Sequence, residues 1–519
     1  MSLARAYSAQ IIGLTSIVVI VEVDISNGLH AFSIVGLGDR SVEEAKDRVA
    51  AAVKNSGYIS PKQKNQKVVV SLAPADMRKE GSSFDLSIAL AYLRAAGDIE
   101  FDVDGRLFIG ELSLEGRIRH VAGLLPILCQ AAAQGFVEAY IPRENAAEAS
   151  LARGIEVYPV SSLEEVISHL SGGRRIEPIV HGFMQASQRT PIVDMKTIRG
   201  NLAAKRGLEI AAAGAHNVVM CGMPGTGKSM LAQGFSSILP PLSYEQAVEV
   251  TGIHSVARTL GDALITEPPF RAPHHTASYP SIVGGGSVPR PGEISLAHRG
   301  VLFLDEFPEF DQSVIDALRQ PLEERAITIS RAKGSVTFPA QCILVAAMNP
   351  CPCGRGPSHG CRCPQHILKL YERRLSGPII DRIDIWVDVD SVDYDELAST
   401  VSTAEPSSAI RERVRRARDI QAARFAAHGS TKVYNAEMNA DDIEKIVSLD
   451  DDTRQTLLHA AKALELSGRA FHRIIKVACT VADLCGRGRV ARQDILEALQ
   501  YRRRPIRAIS GSPSADGHA

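Results

Sequence analysis

Gly222-Met223-Pro224-Gly225-Thr226-Gly227-Lys228-Ser229 follows the apolar run 217–221 and precedes residues 230–239, whose spacing suits a helix. Strand, glycine-rich loop and helix in that order are the setting in which such a loop holds phosphate. Glycines let the backbone curl until its N–H groups converge on an anion nest at a helix N-terminus. Gly222, Pro224, Gly225, Thr226, Gly227, Lys228 and Ser229 are therefore the candidate nucleotide contacts. Lys228 is expected to reach the β- and γ-phosphates, and the Ser229 hydroxyl to ligate Mg²⁺. The plainer alternative is a turn that merely joins strand to helix; the Lys-Ser pair argues against it.

Working outward, Gly300-Val301-Leu302-Phe303-Leu304-Asp305-Glu306 is an apolar run that ends in two carboxylates. It describes a buried parallel strand delivering acids to the edge where ligands bind in such sheets. Asp305 is expected to hold Mg²⁺, and Glu306 to polarise the attacking water. Many strands end in an acid, so this run draws its force from the glycine loop. A third strand over 342–348 ends in Asn349, which can orient that water or simply form the turn before Pro350. Ser376-Gly377-Pro378-Ile379-Ile380-Asp381-Arg382-Ile383-Asp384 puts Arg382 between two acids. Arg382 is either a surface ion pair or a finger reaching the γ-phosphate on a neighbouring subunit, with Arg373 and Arg374 as rivals. In the last quarter, Arg469 and Arg473 open a helix, and Arg469 is the preferred cation to close over the phosphates.

The chain has 519 residues, 45% hydrophobic and 23% charged, which suits a soluble protein of several domains. Its formal net charge of -1 leaves nucleic-acid contact to local basic patches. The apolar run 17–21 is far short of the roughly 20 residues that span a bilayer, and residues 1–10 lack a signal-peptide pattern. A cytoplasmic protein without membrane contact is expected. The fold is read as α/β: a mixed α and β first domain over 1–170, a linker over 171–195, a P-loop core with a parallel sheet over 196–395, a helical bundle over 396–507 and a disordered tail over 508–519. Strands are expected within 17–24 and 67–72, and helices over 42–56, 85–96, 408–427, 451–467, 472–484 and 492–501.

This order of motifs resembles the AAA+ family, and most closely its magnesium-chelatase-like branch that contains the ComM (YifB) proteins. The residues that carry the resemblance are the P-loop 222–229, Arg271-Ala272-Pro273-His274-His275-Thr276, the runs 284–286 and 291–293, 301–306, 348–353 and 376–384. The resemblance implies ATP and Mg²⁺ as cofactors and a homohexameric ring with a C-terminal helical lid. It also implies movement along single-stranded or branched DNA that drives branch migration in recombination, as in natural transformation, with a recombinase as a possible partner. The first domain is similar to the proteolytic domain of Lon (a ribosomal S5 domain 2-like fold) and to its counterpart in RadA, through the runs 79–83, 109–117, 121–125 and 141–145. Lon uses a Ser–Lys dyad; Ser83 aligns with the serine, but Leu125 stands where the lysine belongs. An alkyl chain accepts no proton, so no peptidase activity is expected.

Cys351-Pro352-Cys353 and Cys361-Arg362-Cys363 offer four thiolates for a structural Zn²⁺, with His359 and His366 as substitute ligands. The C-x-C spacing is tighter than usual, and a reduced, metal-free loop is the alternative. Residues 326–338 alternate around Ala-Lys-Gly and predict a β-hairpin whose Arg331 and Lys333 meet DNA phosphates or simply water. The arginines at 411, 413, 415, 416, 418 and 424 are read as a solvated helix face. Two further readings stay open: the ATPase subunit of a chelatase inserting Mg²⁺ or Co²⁺ into a tetrapyrrole, and an ATP-switched scaffold. The Lon-like first domain and the cysteines weigh toward DNA.

Overall fold

The computed structural model describes residues 3–182, 193–260, 264–286, 289–331, 334–356, 360–375, 377–392 and 404–502. The tail, Lys333, His359 and Ser376 lie outside them. Period-two alternation gives the long strands β1 (Leu3–Ile12) and β2 (Thr15–Asn27). With β3 (Ala31–Val35) and β4 (Gln66–Ala73) they form a sheet in the order β1-β2-β4-β3. The helices Arg40–Asn55 and Asp85–Ala96 cover it, burying Val42, Val49, Leu86 and Leu90 against Val21, Val23 and Val70. Asp39 caps the first of these helices by accepting from the Val42 N–H.

β5 (Arg106–Phe108), the pair β6 (Glu111–Leu112) and β7 (Ile118–Arg119), β8 (Glu138–Pro142) and β9 (Glu156–Val160) follow, with β5, β8 and β9 in one sheet. Ser83 Oγ lies 3.5 Å from the Ala9 carbonyl, and Leu125 is fully buried in an apolar cluster. The Lys79 ammonium donates to the carbonyls of Pro74 and Met77. This N-terminal region is bolted to the rest of the chain. The Gly123 N–H donates to Ser255 Oγ at 2.9 Å, and Arg153 lies 3.5 Å over the Tyr244 ring.

The central sheet is built from β10 (Val218–Gly222), β11 (Phe270–Arg271), β14 (Val301–Leu304), β17 (Ile343–Met348) and β18 (Ile385–Val389). Between them lie the short pair β12 (Gly284–Gly285) and β13 (Arg290–Pro291), and the hairpin β15 (Ala326–Arg331) and β16 (Gly334–Pro339). The five central strands are parallel in the order β11-β14-β17-β10-β18. Every residue of β14 and β17 is buried, which is why both read as unbroken apolar runs. The register pairs Cys221 with Met348 and Leu304 with Ala346, so the strand ends carrying the glycine loop, the acids and Asn349 share one edge. This mixed α/β architecture around a parallel sheet fits an AAA+ core.

The helices Ser407–Ala427, Ala440–Ile446, Asp451–Ala463, Gly468–Leu484 and Arg492–Gln500 form a bundle that docks on the helix Leu202–Gly214, itself packed on the sheet, with Val414, Ile474, Val477 and Ile495 in one apolar cluster with Leu208 and Ala212. The helix expected over 451–467 stops at Ala463. Glu465 takes a left-handed φ of 49°, and Ser467 caps the next helix by accepting from the Ala470 N–H. His216 staples the two parts, its ring nitrogens 2.9 Å from Asp384 and 2.8 Å from Thr480 Oγ1. Among the described residues, no helix is long and apolar enough to cross a membrane.

Candidate nucleotide-binding site

β10 ends at Gly222, where a Cβ would stand 2.3 Å from the Val389 carbonyl oxygen. No side chain fits there, so the neighbouring strand itself demands glycine. The loop then turns through Gly227 at a left-handed φ of 91°, which other residues adopt only with strain, and opens the helix Lys228–Ser237. Thr226 Oγ1 closes the turn by donating to the Met223 carbonyl at 2.9 Å. The first-turn N–H groups of such a helix have no intrahelical acceptor and favour an anion.

Lys228 is only 8% exposed. Its ammonium donates to the carbonyls of Gly222 at 2.7 Å and Met223 at 2.8 Å, and lies 3.4 Å from Asn349 Oδ1. Burial lowers its pKa below the ordinary lysine value, against the pull of Asp305, Cys221 and Glu306. Ser229 Oγ donates to the Asp305 carboxylate at 2.8 Å, joining two segments 76 residues apart. Asp305 also accepts from the Glu306 N–H at 2.9 Å. A hydroxyl and a carboxylate side by side are the hard oxygen donors that Mg²⁺ prefers, so these residues fit that ion. Glu306 itself adopts a left-handed φ of 50°. The Tyr371 hydroxyl donates to the Asn349 carbonyl at 2.9 Å.

Sequence reasoning gave no role to His275, whose Nδ1 lies 3.3 Å from the Glu306 carboxylate. Tyr371 went unnoticed too. His275 had a signal, since it sits in the quoted run 271–276; Tyr371 had none beyond its place on a helix.

The cationic candidates fall elsewhere. Asn217, just before β10, donates to the Arg382 carbonyl at 3.0 Å, so Arg382 lies at the edge where the strands begin, away from the glycine loop. Its guanidinium pairs with Glu323 and donates to the Pro378 carbonyl at 2.5 Å. Arg469 meets Asp381 at 3.4 Å, and Arg473 donates to the Ile383 carbonyl at 2.5 Å. Arg469, the cation expected to close over the phosphates, stands at the start of the helix Gly468–Leu484 beside residues 380–383, at that far edge. Arg374 pairs with Glu309 at 2.7 Å, and Arg373 is exposed.

The four sulfurs of Cys351, Cys353, Cys361 and Cys363 lie within 4.8 Å of one another. Cys351 is fully buried and accepts from the Gly356 N–H at 3.2 Å, while Cys353 is exposed. A backbone N–H at Arg355, helped by the neighbouring thiols, pulls the Cys353 thiol down to about 6. His366 is exposed. The cluster is compatible with Zn²⁺ on its sulfurs alone.

The hairpin forms as expected, with Arg331 opposite Gly334. The arginine-rich helix is largely spent internally: Arg411 donates to the Ser237 carbonyl, Arg413 pairs with Glu209 and Glu405, and Arg418 donates to the Ala212 carbonyl. Arg424 pairs with buried Asp483, and Arg415 and Arg416 pair with Glu412.

Three family models match in succession: "Subunit ChlI of Mg-chelatase" over residues 21–145, "Magnesium chelatase, subunit ChlI" over 194–397, and "Magnesium chelatase, subunit ChlI C-terminal" over 404–502. The first match removes the N-terminal region as an argument against a chelatase. Competence protein ComM of Haemophilus influenzae is 41% identical over 509 residues, covering 97% of this chain and 98% of the relative. The uncharacterized protein YifB of Salmonella typhimurium is 39% identical over 505 residues, 97% of each chain. An uncharacterized protein of Mycobacterium tuberculosis strain H37Rv is 39% identical over 508 residues, 97% of this chain and 99% of its own. With a glycine loop, a strand-end acid pair and near full-length identity in hand, the chain belongs to the ComM/YifB family of magnesium-chelatase-like AAA+ ATPases.

Proposed function

We propose that this protein is an ATP-driven, ring-forming DNA translocase that promotes branch migration of recombining strands, as in natural transformation. The observation that carries the ATPase half is the contact of Ser229 with Asp305 beside Lys228. Support for the DNA half is the 41% identity to a protein named for competence. Lys228 and the loop 222–229 bind the triphosphate, and Ser229 with Asp305 hold Mg²⁺, which supplies charge neutralisation when bound. Glu306 takes the proton of the attacking water, and Asn349 orients that water. Arg382, on the opposite edge of the sheet, serves the site of a neighbouring subunit in a homohexamer, with Arg469 beside it.

The same reading makes 1–170 a Lon-like platform for assembly or DNA guidance, 196–395 the motor and 396–507 the lid bundle. It presents Arg331 and Lys333 at the hairpin tip to DNA, gives the cysteine cluster a Zn²⁺, allows a recombinase partner and keeps the protein in the cytoplasm. A chelatase ATPase subunit is the second reading, favoured by the three matches to magnesium-chelatase subunit ChlI models.

The deciding experiment offers the purified protein a synthetic three- or four-way junction with and without ATP, and measures ATP hydrolysis with and without single-stranded DNA. ATP-dependent strand exchange and DNA-stimulated hydrolysis are expected. Hydrolysis that ignores every DNA, with stimulated metal insertion into a tetrapyrrole by a chelatase partner, would transfer the chain to the second reading.

A further inference from the structure

Cys351, Cys353, Cys361 and Cys363 do more than gather sulfur. The Sγ separations of 3.2 Å (Cys351 and Cys353), 3.5 Å (Cys351 and Cys361) and 3.7 Å (Cys353 and Cys361) lie near the edge of a ZnS₄ tetrahedron, about 3.8 Å. All four cysteines are free of disulfides. Backbone N–H groups already face two sulfurs: Gly356 to Cys351 at 3.2 Å and Cys363 to Cys361 at 3.4 Å, the outer contacts that orient thiolate ligands.

The cluster abuts the glycine loop. Gly354, at a left-handed φ of 80°, sits so close to Pro224 that a Cβ there would lie 2.9 Å from both Cδ and Cγ of the proline ring. Each end of the cysteine loop also runs to Asn349. Cys351 follows it by two residues. Cys363 precedes by two residues the helix Gln365–Arg374, whose Tyr371 donates to the Asn349 carbonyl. Asn349 in turn lies 3.4 Å from the Lys228 ammonium.

We infer that Zn²⁺ on Cys351, Cys353, Cys361 and Cys363 braces Pro224 and Asn349, so that metal occupancy governs nucleotide affinity. This rests on reading 222–229 as the nucleotide site and the cluster as a zinc site. A metal that ties four side chains together adds its binding free energy to the order of the segment between them. Without it, the loop loses the ties that press Gly354 onto Pro224. The metal has four protein ligands and no open position, so its part is structural.

The test measures zinc content of the full-length protein by mass spectrometry and affinity for a fluorescent ATP analogue, with Lys228→Ala as the control for site-specific signal. One zinc per chain is expected. Chelation, or Cys353→Ser, weakens analogue binding about tenfold or more, and Zn²⁺ added back to chelated wild type restores it. Gly354→Ala keeps its zinc yet weakens binding, because the methyl group displaces Pro224 without touching a ligand. A protein that neither carries nor takes up zinc overturns the metal. Zinc-loaded protein whose affinity survives both chelation and Gly354→Ala overturns the brace and leaves the metal standing. Wild type that fails to bind the analogue at full zinc occupancy overturns the nucleotide site itself.

Discussion

The imidazole of His275 stands 3.3 Å from the carboxylate of Glu306, the residue at the end of β14 that is proposed to act as base. His275 belongs to the stretch that follows β11. The Arg271–Glu293 pair closes that stretch at its base through two contacts of 2.7 Å. Within it, Gly284 packs on the hairpin, where a Cβ would lie 3.0 Å from Ile329 Cδ1. The stretch therefore meets the hairpin at Gly284 and the proposed base at His275. His275→Ala is expected to lower kcat about tenfold, a fraction of the effect of a general base, while nucleotide affinity holds. His275→Asn, which keeps a polar partner, should recover part of it. Equal loss in both variants with weakened binding would mean that His275 supports the fold and not the base.

Lys228 sets a pH dependence. Its ammonium is the form that binds phosphate, and burial holds its pKa below the ordinary lysine value of 10.5. Nucleotide affinity is therefore full at neutral pH and declines as pH rises through that lowered pKa, earlier than a solvated lysine would dictate. Lys228→Ala removes a charge-assisted contact and should cost about 2–3 kcal/mol, or roughly 30- to 150-fold in affinity. Titrating the affinity of a fluorescent nucleotide across alkaline pH checks both statements. An affinity that stays flat into the range of solvated lysines would show that Lys228 does not bear the contact.

How much of this was legible depended on how local each signal was. The glycine loop, the apolar run of β14 and the tip of β17 are each contiguous, and one sheet edge unites them. The far-edge arginines are different. Where Arg469 falls depends on where the helix Gly468–Leu484 docks, and that is decided by its packing on the helices Leu202–Gly214 and Ser407–Ala427 together with the His216 staple. Nothing in the run 467–473 encodes it. His275 meets Glu306 only because β11 and β14 are neighbours in the sheet, a pairing of strands that no local pattern announces.

The acid limit of stability should involve Glu249. It accepts from His298 Nε2 at 3.2 Å and from Arg299 at 3.0 Å, and the His298 hydrogen bond foremost holds its pKa down to about 2. A depressed carboxyl contributes stability that is complete above the ordinary glutamate value of 4.5 and is lost as pH falls through about 2. The contact ties the helix Tyr244–Ala257 to the start of β14. Glu249 is 45% exposed, so screening should keep its contribution below about 1 kcal/mol. Urea midpoints of wild type and Glu249→Gln should differ at neutral pH and converge in acid or in high salt. A gap that widens in acid would contradict the assignment.

Arg382 poses the sharpest question of assembly. Its guanidinium is 16% exposed and paired with Glu323, and its Nε finds no acceptor among the described residues. It lies on the edge of the sheet opposite the glycine loop, so any service to a γ-phosphate must be given to another chain. If Arg382 is an arginine finger, Arg382→Ala and Glu306→Gln should each abolish most hydrolysis when pure, the first by about a thousandfold. In the proposed ring, mixing them creates interfaces where an intact Arg382 from one subunit would face an intact Glu306 from the next, and hydrolysis should partly return. Glu323→Ala offers an independent arm: freeing the guanidinium from its partner should leave hydrolysis intact or raise it. If the mixture stays as inactive as its parents, Arg382 acts within its own chain through the Glu323 pair, and loss of that pair should then be as damaging as loss of the arginine.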